Sequence, residues 1–343
     1  MYLPFVGLEV SALLLVLLGF AVGVLGGFFG LGGAFMVTPA LNILGFPMSY
    51  AIGTDLSHVM GKSIVATSRH HRFGNVDVKL GVLMILGTMP GVELGKDTIL
   101  HLERTSTVDV TVRLVYILLL GLTGSYMIYD YTRSHERRRA RKELRGHLGT
   151  VLSRKICSIQ VPPMVTLPAS GIGAISIWAI LLVALGSGFL AGFLGVGGGF
   201  VRVPALIYGF GVPTTVAIGT DLFEIVFSAG IGAFLYALEG KVEIVAAAIM
   251  LVGASFGAQL GTMATRHIDS MKIGLYFAAT ILSASVSVLL KQISYAYGIP
   301  ELGYHAVYVI LGASAVMSFI IVFGLLKNAM GSRIRWSREH YSS

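Results

Sequence analysis

The sequence predicts an all-α polytopic membrane protein made of two homologous five-element helical repeats, most consistent with inverted topology, each holding a short broken or re-entrant helix. One extra C-terminal helix completes it. Three observations carry this expectation. First, 55% of the 343 residues are hydrophobic and only 12% are charged, with a mean hydropathy of +0.81; such a chain cannot present a water-soluble surface and belongs in a bilayer. Second, the two halves of the chain repeat one another. Third, each half contains a glycine cluster followed by a short segment with a proline, "FFGLGGAFMVTPAL" at 28 to 41 and "FLGVGGGFVRVPAL" at 193 to 206.

The elements follow in order. The run "VSALLLVLLGFAVGVLGGFF" at 10 to 29 has the ~20 residues that cross a hydrocarbon core. No Lys or Arg precedes it, and it continues into the glycine motif rather than into a cleavage site, so it reads as a membrane helix and not a removable signal. A short helix at 33 to 44 comes next, then helices at 48 to 70, 78 to 95 and 108 to 130. The second half supplies 175 to 195, 199 to 210, 214 to 237, 243 to 263 and 272 to 291, and a last helix at 304 to 327 has no counterpart. An offset of 166 superimposes "GFPMSYAIGTDL" on "GVPTTVAIGTDL", "FGNVD" on "EGKVE" and "PGVELG" on "FGAQLG"; the glycine motifs align at 165. This is a duplicated module. It divides the chain into a first repeat (1–130), a basic loop (131–173), a second repeat (174–297), and the extra helix with a basic tail (298–343).

Charge bears on partners and topology. Nine of the 25 basic residues lie in "RSHERRRARKELRGHLGTVLSRK" at 133 to 155, which reads as a cytoplasmic loop beside anionic lipid rather than a nucleic-acid site. Cys157, the single cysteine, excludes an internal disulfide and a cysteine-rich metal site. A dozen residues of helix cover only about 18 Å of a ~30 Å core. If both short segments dip and return, the loop and the tail "KNAMGSRIRWSR" lie on opposite faces. If both complete crossings, the halves are inverted and loop and tail share a face. The distribution of Lys and Arg favours the second arrangement, with the amino terminus outside and the loop and carboxyl terminus in the cytoplasm of a plasma (inner) membrane. The short helices then work as halves of broken helices, completed by extended chain that neighbouring helices bury.

The glycine clusters are the first candidate site. Glycine costs roughly 1 kcal/mol inside a helix relative to alanine, so Gly32 and Gly33, and Gly197, Gly198 and Gly199, are expected to stop one helix and start another deep in the membrane. A helix start there offers free N–H groups to an anion. The alternative is that small residues only let helices approach, as most of the 44 glycines do. Interrupted segments at matching places in two halves point to a transporter's site. The second candidate is "AIGTDL", present twice. Asp55, His58 and Lys62 share one helix face at i, i+3 and i+7, and their equivalents are Asp221, Glu224 and Ser228. Lys62, Arg202 and His58 are expected to hold an anion, with Thr54 and Thr220 beside it and Thr38 a weaker candidate. Asp55, Asp221 and Glu224 would take up a coupling proton or cation. The alternative for the aspartates is an internal ion pair with Lys62 or Arg202, and for the threonines a bond to their own helix backbone. Asn75 and Asp77 fall in a loop.

Several motifs fail their context. "MGKS" at 60 to 63 has Leu56 where a phosphate loop needs glycine, "GVGGGF" lacks a dinucleotide fold around it, and a metal at His70 and His71 would meet Arg69 and Arg72. No catalytic serine elbow or zinc signature is present, so no cofactor or metal is expected. The remaining functional classes are a secondary transporter working by alternating access, a channel with the same selectivity chemistry, and an intramembrane enzyme using His58 with Asp55 or Glu224. The last lacks a nucleophile or metal constellation. A second copy of the chain as a homodimer partner is compatible with the sequence.

The paired glycine motifs, each followed by a proline and then by "AIGT", in a duplicated membrane chain split by a basic loop, resemble the TauE/SafE family of sulfite and organosulfonate exporters over about residues 8 to 325. The resemblance implies a multi-pass permease for small, often sulfur-containing, anions such as sulfite, thiosulfate or sulfoacetate. It places Gly32, Gly33, Gly197, Gly198, Gly199, Pro39, Pro204, Thr54 and Thr220 at the family's signature positions. Ala34 stands in place of the third glycine of the first cluster, and Asp55 and Asp221 stand where a small hydroxyl residue is more usual. These departures leave the identity of the substrate open, and because the family is mixed the resemblance implies "anion" rather than "sulfite".

Overall fold

Helices dominate because lipid offers no partner for a backbone N–H or C=O. The computed structural model describes residues 1–29, 34–140, 161–265 and 270–341. Its helices are α1 (Ala12–Phe29), α2 (Ala34–Ile43), α3 (Met48–Arg72), α4 (Val78–Arg104), α5 (Val108–Ala140), α6 (Ile177–Leu194), α7 (Gly199–Pro204), α8 (Thr214–Leu238), α9 (Ile244–Ala264), α10 (Ser270–Tyr297) and α11 (Pro300–Tyr341). Eight of them are long and apolar enough to cross a membrane. At 25 residues α3 is long enough too, but Asp55, Lys62, Arg69 and Arg72 dilute its apolarity. Exposed side chains such as Leu118, Phe256 and Phe319 form the outward, lipid-compatible surface.

Two short antiparallel hairpins depart from the purely helical expectation. One pairs β1 (Tyr2–Leu3) with β2 (Leu8–Glu9) and the other pairs β3 (Met164–Leu167) with β4 (Ile172–Ser176). Leu3, Leu167 and Ile175 are fully buried. Residues 161–173, read from sequence as part of the basic loop, thus include a folded hairpin packed on α4 and α6 through Leu80, Met84 and Ile180. Helix α4 also runs past the expected end at 95, to Arg104. Its last turn is held there because Glu103 accepts hydrogen bonds from Ser49 Oγ (3.0 Å) and Lys241 Nζ (2.8 Å).

Elements of the two halves interlock, two pairs at matching places and two in which first and fourth helices are exchanged. Helix α1 packs on α9, α4 on α6, α3 on α8, and α5 on α10, while α11 packs on α10 and α1. The α3–α8 pair is antiparallel: Gly53, near the start of α3, abuts Tyr236, near the end of α8, and Gly219 at the start of α8 abuts His70 at the end of α3. Helices α2, α4, α8 and α10 end at one face with the first hairpin, where α3, α5, α9 and α11 begin. Contacts from Phe5 to Glu243, Lys241 to Glu103 and Asn42 to Arg113 mark that face. The second hairpin sits at the opposite face with the starts of α4 and α6.

Small residues make the interlock possible, as small-xxx-small contacts do in membranes. Glycines at i, i+4 spacing on α1 (Gly19, Gly23, Gly27) and α9 (Gly253, Gly257, Gly261) bring the two backbones into contact, and Gly87, Gly91 and Gly95 of α4 do the same with Gly188 and Gly192 of α6. A Cβ at Gly188 would lie 2.7 Å from Thr88 Cα, whereas one at Gly186, on the same helix, would meet nothing within 4 Å. Gly188→Ala is therefore expected to lower the thermal midpoint in detergent, at a cost of about 1–3 kcal/mol, and Gly186→Ala to leave it unchanged. Equal midpoints for the two variants would refute the close-contact account.

Candidate functional site

The break in the second half starts where α6 stops. Gly195 caps α6 in the left-handed region at φ 78°, Gly197 and Gly198 follow at 66° and 75°, and α7 begins at Gly199. Other residues reach such φ values only under strain. Helical bonding resumes with Val201 and Arg202, whose amides donate to Gly198 O at 3.2 and 3.1 Å. Gly32 and Gly33 lie outside the described residues; on either side of them α1 ends at Phe29 and α2 begins at Ala34.

Breaking α6 frees carbonyls as well as amides, and side chains meet them. Tyr236 Oη donates to Gly192 O (2.8 Å), Tyr116 Oη to Leu194 O (2.6 Å), and Arg202 Nη2 to Gly197 O (2.7 Å). In the first half His70 Nε2 and Thr262 Oγ1 both lie 3.4 Å from Gly27 O. His70 and Tyr236 are equivalent at the offset of 166. Neither tyrosine was singled out from sequence; that equivalence could have signalled Tyr236, and nothing in the sequence signals Tyr116.

Each "AIGTD" aspartate ties the third helix of its half to the short helix. Asp55 Oδ2 accepts from Thr38 N (3.0 Å) and Thr38 Oγ1 (2.8 Å) on α2. Asp221 Oδ1 accepts from Arg202 Nε on α7. Arg202, fully buried, also pairs through Nη2 with Glu224 and reaches Ser187 Oγ at 3.4 Å through Nη1. Glu224 accepts further from Thr88 Oγ1 (2.5 Å) and Ser228 Oγ (3.2 Å). Every nitrogen of the Arg202 guanidinium thus has an acceptor. Two carboxylates surround this one cation, and Asp221 Oδ2 has no partner among the described residues.

The first half carries its cation differently. Lys62 is 2% exposed on α3, and its Nζ has no hydrogen-bond partner among the described residues. His58 Nδ1 lies 3.5 Å from Asp55 Oδ1, while its Nε2 and Ser63 Oγ have no hydrogen-bond partner among the described residues. The contacts of Gly53 with Tyr236, Met60 with Gly230 and His70 with Gly219 set the antiparallel register, and they put Lys62 level with its own equivalent, Ser228, midway along the α3–α8 crossing. Buried charge without a partner is expensive. The two threonines of the motif face elsewhere: Thr54 Oγ1 accepts from Glu243 N and Thr220 Oγ1 from Asp77 N, both at 2.9 Å. Asp77, read from sequence as a loop residue, caps α4 by accepting from Leu80 N at 3.0 Å.

Comparison with known proteins decides the family. The profile described as sulfite exporter TauE/SafE matches residues 15–288. The chain belongs to the TauE/SafE family. Relatives of this TauE/SafE protein include the probable membrane transporter protein YunE of Bacillus subtilis (strain 168), 27% identical over 77% of this chain and 92% of its own length. YjnA of the same organism, also named a probable membrane transporter protein, is 26% identical over 80% and 98%. A probable membrane transporter protein of Xylella fastidiosa (strain Temecula1) is 28% identical over 80% and 92%. No solved structure matches.

The buried ion cluster makes a direct prediction. Arg202→Met strands two carboxylates in a dry interior and is expected to cost about 3–5 kcal/mol of stability. Adding Asp221→Asn should restore part of that loss. A double-mutant cycle on thermal unfolding measures the coupling, and strict additivity of the two changes would show that the residues act independently.

Proposed function

We propose that the protein moves a small oxyanion across the membrane by alternating access, with the anion held at Lys62 and His58 where the two halves meet. The protein is a polytopic membrane transporter of the TauE/SafE family. The observation that carries the reading is that Lys62 Nζ and His58 Nε2 both lack a hydrogen-bond partner among the described residues, one buried cation and one buried imidazole on a single helix face. An anion's oxygens accept from Lys62 Nζ and, when the His58 ring carries both protons, from its Nε2 as well, since Nδ1 faces Asp55 Oδ1. Sulfite, which the family's description names, carries several such oxygens, and thiosulfate and organosulfonates share that form.

The roles divide between the halves. Arg202 holds α7 in place rather than meeting the anion, since its donors are taken by Asp221, Glu224, Ser187 and Gly197. The excess carboxylate around it is suited to take up a coupling proton as the anion moves, in keeping with the use of intramembrane acids in proton relays. Antiparallel pairing of α3 with α8 supports reading the halves as inverted repeats. The common starting face of α5 and α11 supports a basic loop and basic tail on one side, which positive-inside makes cytoplasmic.

Proteoliposomes loaded with sulfite or thiosulfate test the reading. Lys62→Ala is expected to lower flux at least tenfold and Lys62→Arg to retain part of it; undiminished flux through Lys62→Ala would end the assignment. Asp221→Asn is expected to leave anion exchange intact while removing its response to an imposed pH gradient. A response equal to wild type would assign the carboxylates to structure alone.

A further inference from the structure

A second cationic site lies away from Lys62, at the face where the first hairpin sits. A cavity of about 10 Å³, room for a single water-sized atom, is lined by Pro39, Asn42 and Tyr116 together with Arg113 and Lys291. Arg113, on α5, is 7% exposed. Its Nε and Nη2 donate to Asn42 Oδ1 at 3.1 and 3.0 Å, Nη2 lies 3.6 Å from Asp109 Oδ1, and the guanidinium sits 5.5 Å from the centre of the Tyr295 ring. Its Nη1 is buried with no partner among the described residues. Lys291, half-buried on α10, has no hydrogen-bond or salt-bridge partner among them. Asp109 is 44% exposed, and Asn42 Nδ2 also donates to it at 3.0 Å, so one rim carboxylate faces two cations.

We propose that Arg113 and Lys291 bind an anionic oxygen at the mouth of the protein, as a recruitment site distinct from Lys62. The cavity admits one oxygen of an oxyanion, not the whole group, so the remainder lies toward the open side. Arg113 Nη1 and Lys291 Nζ supply the charge-assisted donors that one such oxygen accepts. The inner walls connect the site to the machinery. Pro39 and Asn42 belong to α2, whose Thr38 holds Asp55, and Tyr116 donates to Leu194 O at the last turn of α6 before its break. An anion at Arg113 and Lys291 is therefore in contact with the short helix that would have to move for it to travel inward. This recruitment role rests on the anion-transport reading, whereas the binding site itself does not. The oxygen has two sources with the same chemistry, a free oxyanion or the phosphate of a lipid.

The test uses full-length protein carrying Lys62→Ala, so that the central site is silent, and measures heats of binding of sulfite and of inorganic phosphate in neutral detergent. Binding of about one anion per chain is expected, weakened at least tenfold by Lys291→Gln, at a side chain with no hydrogen-bond or salt-bridge partner among the described residues, and likewise by Arg113→Gln. The same variants are then titrated with phosphatidylglycerol micelles. Lys291-dependent binding of that lipid alone would keep the site and assign it to a lipid phosphate. Equal binding with and without Lys291, or no binding of sulfite, phosphate or lipid, would overturn the proposal. The two readings separate cleanly: wild-type protein that binds in a Lys291-dependent way but carries no flux refutes transport only, and flux that depends on Lys62 without Lys291-dependent binding refutes recruitment only.

Discussion

Every backbone polar group that this chain carries into the hydrocarbon has to be answered from within the protein, and the architecture follows from how the freed ones are met. A broken helix exposes carbonyls on one side of the gap and amides on the other. Tyr116, Tyr236 and Arg202 take the carbonyls of the second break, and His70 with Thr262 takes Gly27 O in the first half. Those side chains come from α3, α5, α8, α9 and α7, so the break is stable only inside the complete bundle. The glycine contacts between α1 and α9 and between α4 and α6 set the backbone separation that lets hydroxyls and rings of this length reach.

The same constraint joins the halves crosswise. Thr54 in the first repeat binds the amide of Glu243 in the second, and Thr220 in the second binds the amide of Asp77 in the first. Each of those acids in turn holds a hairpin: Glu243 Oε2 accepts from Phe5 N at 2.9 Å, and Asp77 Oδ2 from Ser170 Oγ at 2.7 Å. One threonine motif therefore connects, through one amide and one carboxylate, to the segment that covers each face. A third helix that shifts in one repeat disturbs the fourth helix of the other repeat and the hairpin docked on it. That linkage gives the two faces a physical means to respond to each other.

Much of this was legible in the sequence, and the reasons are local. Helix positions follow from apolar runs bounded by Gly and Pro, which is why α3, α5 and α8 begin where expected, at Met48, Val108 and Thr214. Equivalence of Asp55 with Asp221 was readable because the two motifs are identical over "AIGTDL". What could not be read was partner choice. The role of Thr54 depends on a residue 189 positions away, and the hydroxyls of Ser187 and Thr88 acquire meaning only when α6 and α4 bring them to Arg202 and Glu224. The β3–β4 hairpin was hidden because it borders a basic run whose composition reads as solvated loop.

The departures from symmetry bear most on function. Two perfect repeats would place equal charges at equal positions, and the pair would have no preferred end. Here the cation of the second half sits on the short helix as Arg202, at a position equivalent to Val37, while the cation of the first half sits on the third helix as Lys62, at a position equivalent to Ser228. Arg202 reaches two acids and is neutralised in place. Lys62 cannot follow suit, because the position equivalent to Glu224 is His58, which supplies no carboxylate. An exchange of Glu for His at one turn of helix thus separates a fixed cluster that braces α7 from a cation at the centre of the bundle that has no hydrogen-bond partner among the described residues. The pocket at Arg113 and Lys291 extends the inequality to one face, so positive charge is available at an end and at the middle, while the acid excess is confined to the second half. On the proposed transport reading, the two ends of the path would present an anion with unlike sites rather than mirror images.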